Sequence, residues 1–311
     1  MKKILLATSA LVMVAGAASA EVALSGSARM GLTYADTAAG STTAFSSRIR
    51  IVFTASGETD TGLSFGGSVR NDQSGVGNDS NGDSTVFISG GFGKLTMGDV
   101  GGAADALVGQ VSGVGYGPND ALQEIGFVGT TKTAAYYEYS AGALTFGLGA
   151  GQIESAGSEL NVAVKYATDA YSVALGYETT DGNPVATALT LDTVPAEDLI
   201  SLGGSATFGA ATVKARISDS DISGKDTTWA LSVDYAMGAT TLTAFYTDFG
   251  NTLVDATGSD VFASADTQHV GIGVAYDLGG GATFAGGIVQ QLNDASTPDA
   301  TFADVGLKFS F

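Results

Sequence analysis

From residue 22 onward the chain alternates apolar and polar positions with a period of two. Val22, Leu24, Ala28, Met30, Leu32 and Tyr34 fall on one face of an extended segment, and Ser25, Ser27, Arg29 and Thr33 on the other. Residues 45–54 repeat the pattern, with Phe45, Ile49, Ile51 and Phe53 against Ser46, Arg48, Arg50 and Thr54. A third stretch sets Leu63, Phe65 and Val69 against Ser64, Ser68 and Arg70. Alternation of this kind predicts strands with one greasy and one polar face. The last stretch reads the same way: Val305, Leu307, Phe309 and Phe311 alternate with Gly306, Lys308 and Ser310. It ends on an aromatic, so this strand must dock on a wall that is already built. The first strand is the simplest partner, and pairing the two closes a barrel and abolishes both sheet edges.

The connections alternate between short and long. Short ones fall near 55–61, 90–93, 140–143, 167–170, 208–211, 236–239 and 277–281. Longer polar stretches fall near 36–43, 71–83, 99–131, 152–158, 181–197, 219–225, 250–264 and 292–299. The strands between them number about sixteen, an even count with both termini at the short-turn end, as a transmembrane barrel requires. Pro118, Pro184, Pro195 and Pro298 all lie in the longer connections, where a missing N–H breaks no ladder. Only Ala103 to Gln110, inside the longest connection, could form a short helix. The stretch 84–98 has no cleanly assignable face.

Alternation alone does not say which face is wet, and the N-terminus bears on that choice. Lys2 and Lys3 precede an apolar run from Ile4 to Ala18, and Ala18-Ser19-Ala20 offers the small residues a signal peptidase cuts between. Residues 1–20 read as a secretory signal, with Glu21 opening the mature domain, 21–311. The run is too short to span a bilayer. An exported chain with no long apolar helix meets a membrane only as a closed barrel, with the apolar face outward.

Composition narrows the class. The chain has 45 glycines, no cysteine and one histidine. Disulfides and thiolate metal sites are excluded, and the glycines suit many strands joined by tight turns. With 32 acidic against 13 basic residues the net charge is -19, and -21 once Lys2 and Lys3 are removed. That balance opposes binding to nucleic acid.

Four segments carry a resemblance to a known family: Val22 to Gly31, Phe45 to Arg50, Gly90 to Asp99 and Tyr276 to Gly281. They resemble the general porins of Rhodobacter-type alphaproteobacteria, and the similarity runs over essentially the whole mature chain, least in the long loops. The resemblance implies a sixteen-stranded Gram-negative outer-membrane barrel, trimeric, exported through a cleaved signal peptide and set in outer-membrane lipid. Its third loop is implied to fold into the lumen and narrow the pore. The expected function is passive diffusion of small hydrophilic solutes and ions, without catalysis. The alternative is a substrate-selective channel of the same architecture.

The candidate constriction follows from charge. Arg29, Arg48, Arg50 and Arg70 share the polar face of the first three strands and form a positive wall. The connection 99–131 carries Asp99, Asp105, Asp120 and Glu124 and is long enough to cross a lumen. Porins of the resembled family hold calcium in this loop. Here Gln110 and Ser112 stand where that pattern has carboxylates, which counts against the calcium site and leaves Asp99, Asp105 and Asp120 as candidate ligands. His269 is expected to point inward, on the face opposite Val270, Ile272 and Val274, as a hydrated lumen side chain, and no nucleophile motif accompanies it. Lys132, Lys165, Lys214, Arg216 and Lys308 are expected around the wall, too dispersed to form a site.

Overall fold

A computed structural model describes residues 21–74, 78–80, 83–119, 121–128, 134–151, 158–181, 183–186, 191–194, 196–222, 224–250, 267–293 and 298–311. The first strands are β1 (Glu21–Thr37), β2 (Gly40–Glu58), β3 (Ser64–Ser74), β4 (Asn78–Ser80), β5 (Ser84–Gly90) and β6 (Gly93–Gly98). The helix α1 (Ala103–Leu107) follows, then β7 (Ala134–Ala141), β8 (Leu144–Ala150), β9 (Glu159–Ala167) and β10 (Tyr171–Thr180). A separate antiparallel hairpin, β11 (Asn183–Ala186) with β12 (Leu191–Val194), stands in the connection after β10. The chain then continues through β13 (Glu197–Phe208), β14 (Ala211–Ser220), β15 (Thr228–Met237), β16 (Thr240–Asp248), β17 (Gln268–Gly279), β18 (Ala282–Leu292) and β19 (Ala300–Ser310).

Leaving out β4, which pairs only with the end of β3, and the β11–β12 hairpin, sixteen strands form one closed antiparallel barrel. Closure is between β1 and β19, in a register that sets Arg29 opposite Lys308 and Gly31 opposite Gly306. The end of the chain is sealed by two backbone bonds, Gly26 N–H to Phe311 O (2.7 Å) and Phe311 N–H to Gly26 O (3.0 Å). The reading of Phe311 as the end of a closing strand holds.

One expected connection is different. Residues 36–43 are not a long loop: β1 and β2 run on as a continuous ladder to the pair Thr37 and Gly40, leaving only Ala38 and Ala39 to turn. The segment reads as polar, but its threonines favour strand and Gly40, at φ 107°, supplies the turn.

The two faces separate as the alternation predicts. Val22, Leu24, Met30, Leu32, Phe53, Val69, Leu160, Leu202 and Ile272 are among the many large apolar side chains exposed on the outside. Aromatics stand near the short turns, as Tyr166, Tyr171, Phe208, Tyr235, Tyr276 and Phe284 do, and at the far end Trp229 stacks with Tyr246 at 4.9 Å. An apolar band bordered by aromatic residues is the outer surface of a barrel solvated by lipid. Stretch 84–98 also falls into place: Val86, Ile88, Leu95 and Met97 are exposed outward. Phe87 sits on the inner face with Thr96 opposite it and Lys94 4.6 Å over its ring. An inward aromatic is what blurs the alternation there.

Candidate functional site

Residues 101–119 and 121–128 pack against the polar face of the wall, from β8 round through β19 to β1. The contact begins at α1, whose Ala103 and Ala104 are fully buried and whose Leu107 is 5% exposed. The N-cap residue, Gly102, has no side chain to cap the helix. Asn161 on β9 does so from the wall, accepting the Ala103 N–H at 2.5 Å while donating to Glu159 at 2.8 Å.

What admits the segment so close to the wall is a track of glycines inside strands. A Cβ on Gly147 would lie 3.0 Å from Ala103, on Gly176 2.7 Å from Ala104, on Gly203 2.8 Å from Val108, and on Gly273 2.7 Å from Val114. The track runs on through Gly287, beside Gly115 and Val114, to Gly306 and Gly31, which flank the fully buried Tyr116. Glycine inside a strand weakens it and is expected where another backbone comes close. The abundance of glycine therefore has a second cause beside tight turns.

Polar wall residues fasten the segment at intervals. Arg216 on β14, only 3% exposed, donates to the Ile125 carbonyl at 2.7 Å and the Gly126 carbonyl at 3.0 Å, and lies 3.7 Å from the centre of the Phe127 ring. On β15, Ser232 accepts the Ser112 N–H at 2.9 Å, and Asp234 accepts the Ser112 hydroxyl at 2.5 Å. Thr247 donates to the Gln123 carbonyl at 3.0 Å. Asp304 on β19, 6% exposed, accepts the Tyr116 N–H at 3.1 Å and the Asn119 N–H at 3.3 Å. Within the segment, the Gln110 amide brackets Ile125, donating to its carbonyl at 2.7 Å and accepting its N–H at 3.1 Å.

His269 and Arg216 correct the sequence reading. His269 faces inward as expected but is 8% exposed rather than hydrated; its Nδ1 lies 2.5 Å from the Leu122 carbonyl and its ring packs edge-on to Phe249. Arg216, expected to be one of several dispersed lumen charges, is the most heavily engaged cation on the covered wall.

The four arginines share a face, as the register confirms: Arg29 is opposite Arg48, and Arg50 is opposite Asp72 two positions from Arg70. Their surroundings differ. Arg50 grips Asp72 with two nitrogens, at 2.9 and 2.9 Å, and Arg70 reaches the same carboxylate at 3.1 Å and pairs also with Asp83. Asp72 and Asp83, neither among the expected residues, therefore neutralise part of the wall by contact. Arg29 lies against the backbone of Gly117, where a Cβ would come within 2.4 Å of its guanidinium.

Of the expected acids, Asp105 and Glu124 are exposed on the packed segment, Asp99 accepts the Asp83 N–H at 3.3 Å, and Asp120 lies outside the described residues, as does the expected wall residue Lys132. Among the described residues no three acids or histidines converge on a point that could hold a metal ion. The Gln110 amide and Ser112 hydroxyl are engaged with Ile125 and Asp234.

Comparison with known proteins agrees with the architecture. The Gram-negative porin family matches residues 7–296. A porin of Rhodobacter capsulatus is 37% identical over 94% of this chain and the whole of its own length. The chain belongs to the Gram-negative porin family. Among solved structures, a porin refined at 1.8 Å is 33% identical, with a TM-score of 0.70 over 94% of this chain and all of that one. A mutant of the Rh. blastica porin is 25% identical, with a TM-score of 0.71 over 93% of this chain and all of that one. The protein is thus an outer-membrane porin channel, and the wall described above is the wall of its pore.

Proposed function

We propose that this porin passes small hydrophilic solutes and ions by passive diffusion, without catalysis, through a pore narrowed between residues 99–131 and the arginines of β1 to β3. The observation that supports this reading is the packing of the described residues of 101–128 along the wall from β8 to β19, with Tyr116 beside Gly31 and Gly117 beside Arg29 on β1. Asp105 and Glu124 are the exposed acids of the segment and Arg29 to Arg70 the cations across from it, so a solute passes through a transverse field. The barrel works as a homotrimer, as the family resemblance implies, after removal of residues 1–20.

Replacing Arg48 and Arg50 together with serine tests this. The account predicts a larger single-channel conductance in planar bilayers and a shift toward cations that fades at high salt, as screening shortens. Unchanged conductance and selectivity at low salt would remove these arginines from the constriction.

A further inference from the structure

We propose that Arg29 and Lys308, flanked by Arg48, form a binding station for small oxyanions, the phosphate or carboxylate group of a permeating solute. The proposal rests on the channel reading above and names a solute class for it. It begins from the register. Arg29 on β1 is directly opposite Arg48 on β2 and directly opposite Lys308 on β19, so three cations occupy one rung across three adjacent strands of the inner wall. Residues directly opposite in an antiparallel pair have Cβ atoms about 4.5–5.5 Å apart, and like charges there repel.

Several other cations have partners. Arg50 and Arg70 share Asp72, Lys225 pairs with Glu197 at 2.5 Å, Lys214 lies 3.9 Å from Asp234, and Arg216 is taken up by backbone carbonyls. Among the described residues Arg29 and Lys308 make no ion pair. Beyond Lys308 the rung continues onto Thr283, while Arg48 has Asp72 within electrostatic reach.

Two details point to a ligand rather than to bulk solvation. The Arg29 Nε–H is buried and has no acceptor among the described residues, an arrangement native structures avoid unless something else supplies one. At this spot the packed segment brings backbone and no side chain: Gly117 (φ 133°) crosses close to the guanidinium, and Asp304, an acid on the same strand as Lys308, accepts the Tyr116 and Asn119 N–H groups. An oxyanion between Arg29 and Lys308 would accept the fork of a guanidinium and an ammonium together. It would offset the repulsion between cations set directly opposite each other. An acidic protein, net charge -21 after signal removal, would thereby hold a local site for anions.

The test is the conductance of the purified mature barrel in planar bilayers at 50 mM KCl, with inorganic phosphate or acetate added. Each should lower the chloride-carried conductance in a saturable way, phosphate at lower concentration. Lys308→Gln should raise the half-saturating phosphate concentration at least tenfold, Lys308→Arg should restore it, and Lys165→Gln on β9 should leave it alone. Lys308 is chosen because Arg29 touches the packed segment. A barrel that conducts KCl but shows no saturable phosphate effect, or one that Lys308→Gln does not alter, overturns the station and leaves the channel reading standing. A barrel that conducts nothing overturns both.

Discussion

The two sides of the inner wall do different things with the same alternating pattern. From β8 to β19 glycine and alanine recur at inward positions under the segment, among buried polar residues that include Asn161, Arg216, Ser232 and Asp304. From β1 to β3 they hold long charged side chains in a dense band. The covered side is built as a seat, with space where backbone must approach and hydrogen-bonding groups that meet backbone donors and acceptors of the seated segment. The bare side is built as a charged surface in contact with water. A pore can thus be narrowed from one side and charged from the other by changing only every second residue of its strands, with the lipid-facing set left intact.

That contrast can be broken most severely at Arg216. Arg216→Met removes the donors to Ile125 and Gly126 and leaves the fully buried Glu178 without its neighbouring cation. Loss of one partner of a buried charge group costs about 3–5 kcal/mol. The half-exposed Arg50→Met, on the bare side, should cost about 1 kcal/mol or less. Urea midpoints of the two purified variants, folded in the same detergent, measure the difference; equal losses would show that Arg216 does not fasten the segment. A smaller effect is expected from filling the glycine track. Gly176→Leu meets Ala104 and should cost about 1–3 kcal/mol as overpacking, and it should widen the conductance distribution as the segment is lifted. Ser68→Leu, on the bare side, loses only the 2.9 Å contact with Thr85 and should cost about 1 kcal/mol. The smallest effect belongs to Gln110→Ala, about 1 kcal/mol for its bond to Ile125, with little change in mean conductance.

The outer face, the strand number and the closing pair were legible in the sequence because lipid exposure demands an apolar residue at every second position, and Phe311 and Val22 obey that demand. The seat was not. Gly176 and Gly306 carry no polarity by which to assign a face, and a glycine that leaves room for a neighbour reads the same as one that turns a chain. Arg216 and Asp304 looked like any inward polar residues, since what distinguishes them is the backbone of a segment about 90 to 190 positions away in the chain. Asp72 and Asp83 went unnoticed as partners of Arg50 and Arg70 because their contacts depend on register and on the left-handed turn at Asp83 (φ 53°). The stretch 84–98 failed for one residue, Phe87, which faces inward beneath Lys94.

The central claim is that residues 101–128 stay seated on the wall while the pore conducts. The chain contains no cysteine, so a pair introduced as Ser112→Cys and Ser232→Cys, where the Ser112 N–H now lies 2.9 Å from the Ser232 hydroxyl, reports on that contact alone. The account predicts that the disulfide forms on mild oxidation of the folded barrel and that single-channel conductance is the same before and after reduction. Failure of the pair to form in folded protein, or conductance that rises on reduction, would contradict it.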